Sequence, residues 1–211
     1  MGYHMAGWDV TGVDLAPQPN YPFRFVQADA LTFPLDGYDA VHLSPPCQGY
    51  GRLRHRSGGK VYPRLIAPMR ERLFREAPDM PYVMENVEDA LPHLISPVML
   101  CGSSFGLRVR RHRYFETNWK LVPVGCDHGW QDRHKPYRLY VGKARTNGLG
   151  YRESGIQQVF GGNHNVGGRS HFFKSVAMGI DWMTETELNE SIPPAYTALV
   201  GTQLMELVSA K

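Results

Sequence analysis

The first half of the chain alternates short apolar runs with polar turns. Residues 8–15 (WDVTGVDL), 23–31 (FRFVQADAL) and 38–46 (YDAVHLSPP) each read as a strand; the first two end at or next to an acid, and proline stops the third. Leu65, Ile66, Met69, Leu73 and Phe74 recur at helical spacing through 65–77, with Pro68 in the first turn, where the missing N–H costs nothing. Residues 80–91 read as strand, turn and short helix, and 98–107 and 112–119 as two more strands. Such alternation predicts an α/β fold, a Rossmann-like parallel sheet with helices on its faces. Ligands of such sheets sit beyond the carboxyl ends of the strands, and Asp14, Asp29, Cys47 and Glu85 all fall at predicted strand ends. Between 120 and 176 the periodicity fades into Gly, His, Asn, Arg and aromatic residues, which predicts a small loop-rich lobe. Order returns at Thr184-x-x-Glu187, a capping box opening a short helix. Ile192-Pro193-Pro194 then breaks the chain before a final helix. The expected division is a core over 1–118, a small loop-rich region over 119–176, either a nucleic-acid contact or a surface lobe with no ligand, and helices over 177–211 that complete the core.

Composition narrows the class. Of 211 residues, 42% are hydrophobic, enough for one packed core. No run of 18 apolar residues suggests a membrane span, and the first residues lack the layout of a signal peptide. Three cysteines, Cys47, Cys101 and Cys126, are too few and too uneven for a disulfide framework and point to a reducing, cytoplasmic setting. A net charge of +3 says little; its distribution says more. Arg52, Arg54, Arg56 and Lys60 follow Cys47 closely, and Arg108, Arg110, Arg111 and Arg113 form a second cluster. Either is a solvated loop or a phosphate-binding patch.

Three short motifs carry candidate chemistry. Cys47 stands in Ser44-Pro45-Pro46-Cys47-Gln48, where prolines would fix the direction of a thiol; a lone cysteine also serves as a small buried hydrophobe. Glu85-Asn86-Val87 ends a strand, either as a functional acid or as the cap of the next helix. Arg111-His112-Arg113-Tyr114 is a basic turn or an anion clamp. Cys126-x-His128, with His134, His164 and His171, raises a zinc reading, but the spacing lacks two close ligand pairs, and no metal is expected.

In their combination and order these motifs resemble the DNA (cytosine-5) methyltransferases, especially small bacterial and viral members. Pro46-Cys47-Gln48 resembles the nucleophile motif, Glu85-Asn86-Val87 the Glu-Asn-Val motif and Arg111-x-Arg113 the later Arg-x-Arg. Asp14 and Asp29 resemble the acids that hold the ribose and adenine of S-adenosylmethionine, and residues 192–197 the end signature of small members. The resemblance implies Cys47, Glu85, Asn86, Arg111 and Arg113 as catalytic residues. It implies Asp14, Leu15, Asp29, Ala30, Ser44 and Pro46 at the donor, S-adenosylmethionine or a modified form of it. Gln48, Arg52, Arg54 and Arg56 would meet double-stranded DNA. It implies a monomer in the cytoplasm (of the host, if viral) that serves restriction-modification or a phage. Cys47 would add to C6 of a flipped-out cytosine and is expected to have a depressed pKa; Glu85 is expected to have a raised one. The family's opening strand and glycine-rich loop have no counterpart here, Met1–Gly7 reading as the helix that follows the loop. Val109 stands where the family has glutamine before the Arg-x-Arg. The alternatives are a DNA-binding remnant without catalysis, a C5 transferase for another group, and a thymidylate-synthase-like enzyme.

Overall fold

The computed structural model describes residues 1–50, 62–133 and 169–210. In order they form α1 (Gly2–Met5), β1 (Thr11–Asp14), β2 (Arg24–Gln27), β3 (Val41–Leu43), α2 (Ile66–Glu76), β4 (Tyr82–Asn86), β5 (Val98–Leu100), β6 (Arg113–Thr117), α3 (His128–Arg133), α4 (Arg169–Met178), α5 (Glu185–Glu190) and α6 (Pro194–Ser209), with 3-10 turns at Cys47–Gly49, Glu88–His93 and Gly102–Phe105. Arg52, Arg54, Arg56, His134 and His164 lie outside the described residues.

The fold is α/β, but the sheet is neither single nor wholly parallel. β1 and β2 pair in parallel as one two-stranded sheet. The second sheet has the order β3-β4-β6-β5, parallel between β3 and β4 and antiparallel at β4-β6 and β6-β5. The expectation of a parallel sheet is corrected: β6 runs antiparallel to both of its neighbours, β4 and β5, and only a 3-10 turn, not a crossover helix, lies between β5 and β6. The predicted strand at 98–107 shortens to β5, because the Gly102–Phe105 turn follows it. The predicted loop-rich stretch holds α3 and the start of α4, which runs across residue 176.

β4 is buried along its whole length, and its two faces make two cores. Tyr82 and Met84 meet Ile66, Met69 and Leu73 of α2. Val83 joins Phe115, Tyr196, Val200 and Leu204 on the α6 side. α1 lies against α6 at two glycines: a Cβ on Gly2 would come within 2.1 Å of Thr197 Oγ1, and one on Gly201 within 2.9 Å of the Tyr3 ring. Trp8 Nε1 donates to Gly201 O at 2.9 Å and locks that contact. Arg72 of α2 donates to Ala30 O at 2.7 Å and Phe33 O at 2.5 Å, so the helix holds the turn after β2. The predicted capping box is present, with Thr184 N donating to Glu187 Oε2 at 2.6 Å.

Candidate active site

Strand register alone gathers the polar groups. Leu43 stands opposite Met84, so Ser44 and Glu85 emerge together at one end of the sheet. Asn86 stands opposite Tyr114, so Arg113 enters β6 just beyond it. Arg113 Nε meets Glu85 Oε1 at 3.1 Å, with both side chains largely buried.

Cys47 reaches this group through the proline turn. Asn86, only 2% exposed, donates from Nδ2 to Pro45 O at 2.8 Å and accepts from Val87 N at 3.0 Å. It therefore ties the end of β4 to the turn that carries the cysteine. On the other side Arg64 Nε donates to Gly49 O at 3.1 Å, and Ile66 N donates to the Tyr50 hydroxyl at 2.9 Å. Cys47 is half-buried and Gln48 exposed at the rim.

Burial pushes the Glu85 carboxyl up, against the opposing pull of Arg113, a Ser44 hydrogen bond and Arg111. The expectation of a raised value there is met. The expectation of a depressed Cys47 is not: burial pushes this thiol up, Arg113 opposes, and Glu85 pushes it up further. The carboxylate beside the sulfur and the loss of water outweigh one arginine. Arg111 is brought down to about 10 by burial and by Arg113. It donates through Nη2 to Asn189 O at 2.6 Å, while Tyr196 Oη donates to Arg111 O at 2.6 Å. Arg113 grips Glu85 directly, whereas Arg111 joins the site to α5 and α6.

A chain of hydrogen bonds behind Glu85 was not foreseen. Tyr3 Oη lies 2.6 Å from His42 Nδ1, His42 Nε2 lies 2.9 Å from Ser44 Oγ, and Ser44 bonds Glu85. Surrounding protein pushes His42 down to about 4, so its ring is neutral. With Tyr3 protonated and donating, His42 passes its one N–H to Ser44, leaving the Ser44 hydroxyl to donate to Glu85. The signal in the sequence was a histidine inside the apolar run of β3.

A cavity of about 620 Å³ lies between β1 and β3, lined by every residue of both strands and by Glu85 and Glu190. Its size suits a nucleoside-bearing molecule. Asp14, Ala30 and Ser44 of the expected donor residues line it; Leu15, Asp29 and Pro46 do not. Leu15 is 68% exposed. Asp29 shapes its own turn by accepting from Leu31 N at 2.8 Å, and Asp14 does likewise with Ala16 N. No described helix is long and apolar enough to cross a membrane.

No family model matches the sequence, and no curated protein matches it. Solved structures do. A prophage-encoded E. coli protein assigned as a DNA modification methyltransferase matches with a TM-score of 0.59 at 14% identity, over 99% of this chain and 95% of that one. The S. pombe Dnmt2 methyltransferase matches with a TM-score of 0.57 at 16% identity, over 98% and 96%. Over nearly its whole length the chain shares the α/β fold of these methyltransferase structures.

Proposed function

We propose that this chain is a DNA cytosine-C5 transferase. The observation that carries the reading is the meeting of Cys47, Glu85 and Arg113, from three separate segments, at one end of the sheet beside the cavity. A half-buried thiol next to a carboxyl pushed up by burial suits addition to a pyrimidine. Sγ of Cys47 bonds to C6 of the ring, Glu85 gives its proton to N3, and electron density moves to C5. Arg113 steadies the carboxylate that forms. C5 bonds to the electrophilic carbon that a donor held in the cavity would supply, and the donor's leaving group departs with the bonding electrons. A base then takes the C5 proton, N3 returns its proton to the Glu85 carboxylate, and the thiolate leaves as the C5–C6 double bond returns. Because burial raises the Cys47 thiol, the thiolate would form only once DNA is bound. Gln48, Arg52, Arg54 and Arg56 are the residues we assign to that contact.

Asp14, Ala30 and Ser44, with Leu15, Asp29 and Pro46 nearby, would hold S-adenosylmethionine or a modified form of it, which supplies an electrophilic carbon for C5. The cavity's size and its polar rim fit such a molecule. A second reading, DNA binding without transfer, is favoured by one observation: β1 and β3 do not pair, and the cavity runs between them.

The test is covalent trapping on DNA carrying 5-fluorocytosine, with S-adenosylmethionine present and intact mass as the readout. Fluorine at C5 blocks elimination, so a competent Cys47 stays attached, and the adduct mass gives the group transferred. Loss of the adduct in Cys47→Ala supports the proposal. DNA binding without any adduct selects the second reading.

A further inference from the structure

Away from Cys47, four side chains converge from four places in the sequence. Cys101 follows β5, His112 precedes β6, Cys126 lies in the connection after β6, and His128 opens α3. Their ligand atoms all lie within 4.8 Å of one another. Cys101 Sγ lies 3.3 Å from His128 Nε2, His112 Nε2 lies 3.3 Å from His128 Nε2, and Cys126 Sγ lies 3.7 Å from His112 Nε2. The two imidazole rings stack at 5.3 Å and 13°.

Those separations are the edges of a coordination tetrahedron. Zinc holds sulfur at about 2.3 Å and imidazole nitrogen at about 2.0–2.1 Å; tetrahedral angles then set sulfur and nitrogen about 3.6 Å apart and two nitrogens about 3.3 Å apart. Hydrogen bonding alone explains the cluster less well, since two facing Nε2 atoms can share only one proton. Two thiolates and two imidazoles at tetrahedral spacing suit zinc better than hard cations. We propose that Cys101, His112, Cys126 and His128 bind one zinc ion as a structural S2N2 site.

The surroundings support such a site. Ser103 Oγ donates to Cys101 Sγ at 3.1 Å and accepts from Asp127 N at 3.0 Å, which orients one ligand and the backbone beside two others. Arg110 Nε donates to Gln131 Oε1 at 2.9 Å, and Gln131 Nε2 donates to Leu107 O at 2.7 Å, bracing α3 against the segment before His112. His112 stands between Arg111 and Arg113, so the ion pins the backbone that aims both arginines at the Cys47 site. It also fastens the connection leading toward residues 134–168 to the end of the sheet. The linear reading included Cys126 and His128 but paired them with His134, His164 and His171. His171 is committed elsewhere, its Nε2 lying 2.6 Å from Met183 O.

The site stands apart from the Cys47 chemistry, and its test is independent of that reading. The full chain is purified without added chelator, and zinc is measured per chain by elemental mass spectrometry. About one zinc per chain is expected, retained in Cys47→Ser and lost in Cys126→Ser and His128→Asn. Should the variants not fold, cobalt exchanged into the wild-type protein gives the reading, through the visible bands of a tetrahedral ion and a thiolate charge-transfer band. Absence of zinc together with failure to take up cobalt overturns the proposal. Zinc retained in both ligand variants also overturns it, as does a Cys101–Cys126 disulfide in the protein freshly purified under reducing conditions.

Discussion

The Glu85–Arg113 pair offers the sharpest test of the electrostatics described above. Arg113→Met keeps most of the side-chain volume and strands the buried carboxyl. Breaking a buried ion pair by removing one partner costs about 3–5 kcal/mol when the remaining charge stays. Here protonation limits that cost, because Glu85 is already pushed above its ordinary 4.5 by burial. Protonating an ordinary carboxyl at pH 7 costs about 3.4 kcal/mol, at 1.36 kcal/mol per pH unit, so the loss at pH 7 is at most about 3 kcal/mol, lowered by what the raised wild-type carboxyl already bears. The sign with pH follows. A carboxyl whose folded pKa lies above its unfolded one weakens the fold at high pH, and the penalty lifts as pH falls through the folded value. At pH 5.5 the limit is about 1.4 kcal/mol, so the gap between variant and wild type narrows, by up to about 2 kcal/mol. Urea unfolding at the two pH values measures both quantities. Arg113→Met/Glu85→Gln, lacking the carboxylate, should unfold later than Arg113→Met alone at pH 7. No loss at pH 7, or a gap that stays constant down to pH 5.5, would refute the account of Glu85 as a buried acid held by one arginine.

Two further outcomes follow from the same group. Because burial and Glu85 push the Cys47 thiol above its ordinary 9.0, iodoacetamide should modify it slowly at pH 7, ever faster toward alkaline pH, and sooner in Glu85→Gln; a rate already flat at pH 7 would show an activated thiolate and contradict the reading. His42, depressed from 6.5 to about 4, adds stability that is present above pH 6.5 and lost as pH falls toward 4, to a limit of about 3 kcal/mol; comparing acid unfolding of wild type and His42→Asn measures it, and identical profiles would remove the neutral Tyr3–His42–Ser44 chain.

What the sequence revealed and what it hid divide along the range of the interactions. Local signals were legible: the Thr184–Glu187 capping box, the apolar stripe of α2 and the strand ends bearing Asp14 and Glu85. Cys47, Glu85 and Arg113 could be singled out because each sits in a short motif of unusual composition. Their pKa directions were less accessible, since these depend on which charge lies nearer once three segments have met. A depressed thiol is what a nucleophilic role for Cys47 implies, but burial pushes it up, and of its charged neighbours one arginine pulls down while two acids push up. Strand direction was hidden for a similar reason, because it depends on which strands pair.

The zinc cluster is the clearest case of long-range information. Its ligands are spaced eleven, fourteen and two positions apart, which no linear motif favours, yet β5, β6 and the connection beyond them bring four donor atoms to one point. Leu100 pairs with Arg113, so the next residue outward on each strand is a ligand, Cys101 on one and His112 on the other. The pairing of β6 with its other neighbour, β4, places Arg113 on Glu85. β6 thus serves both sites through its two edges, and a slip of β6 by one residue against both neighbours would disassemble the candidate catalytic clamp and two corners of the proposed metal site together.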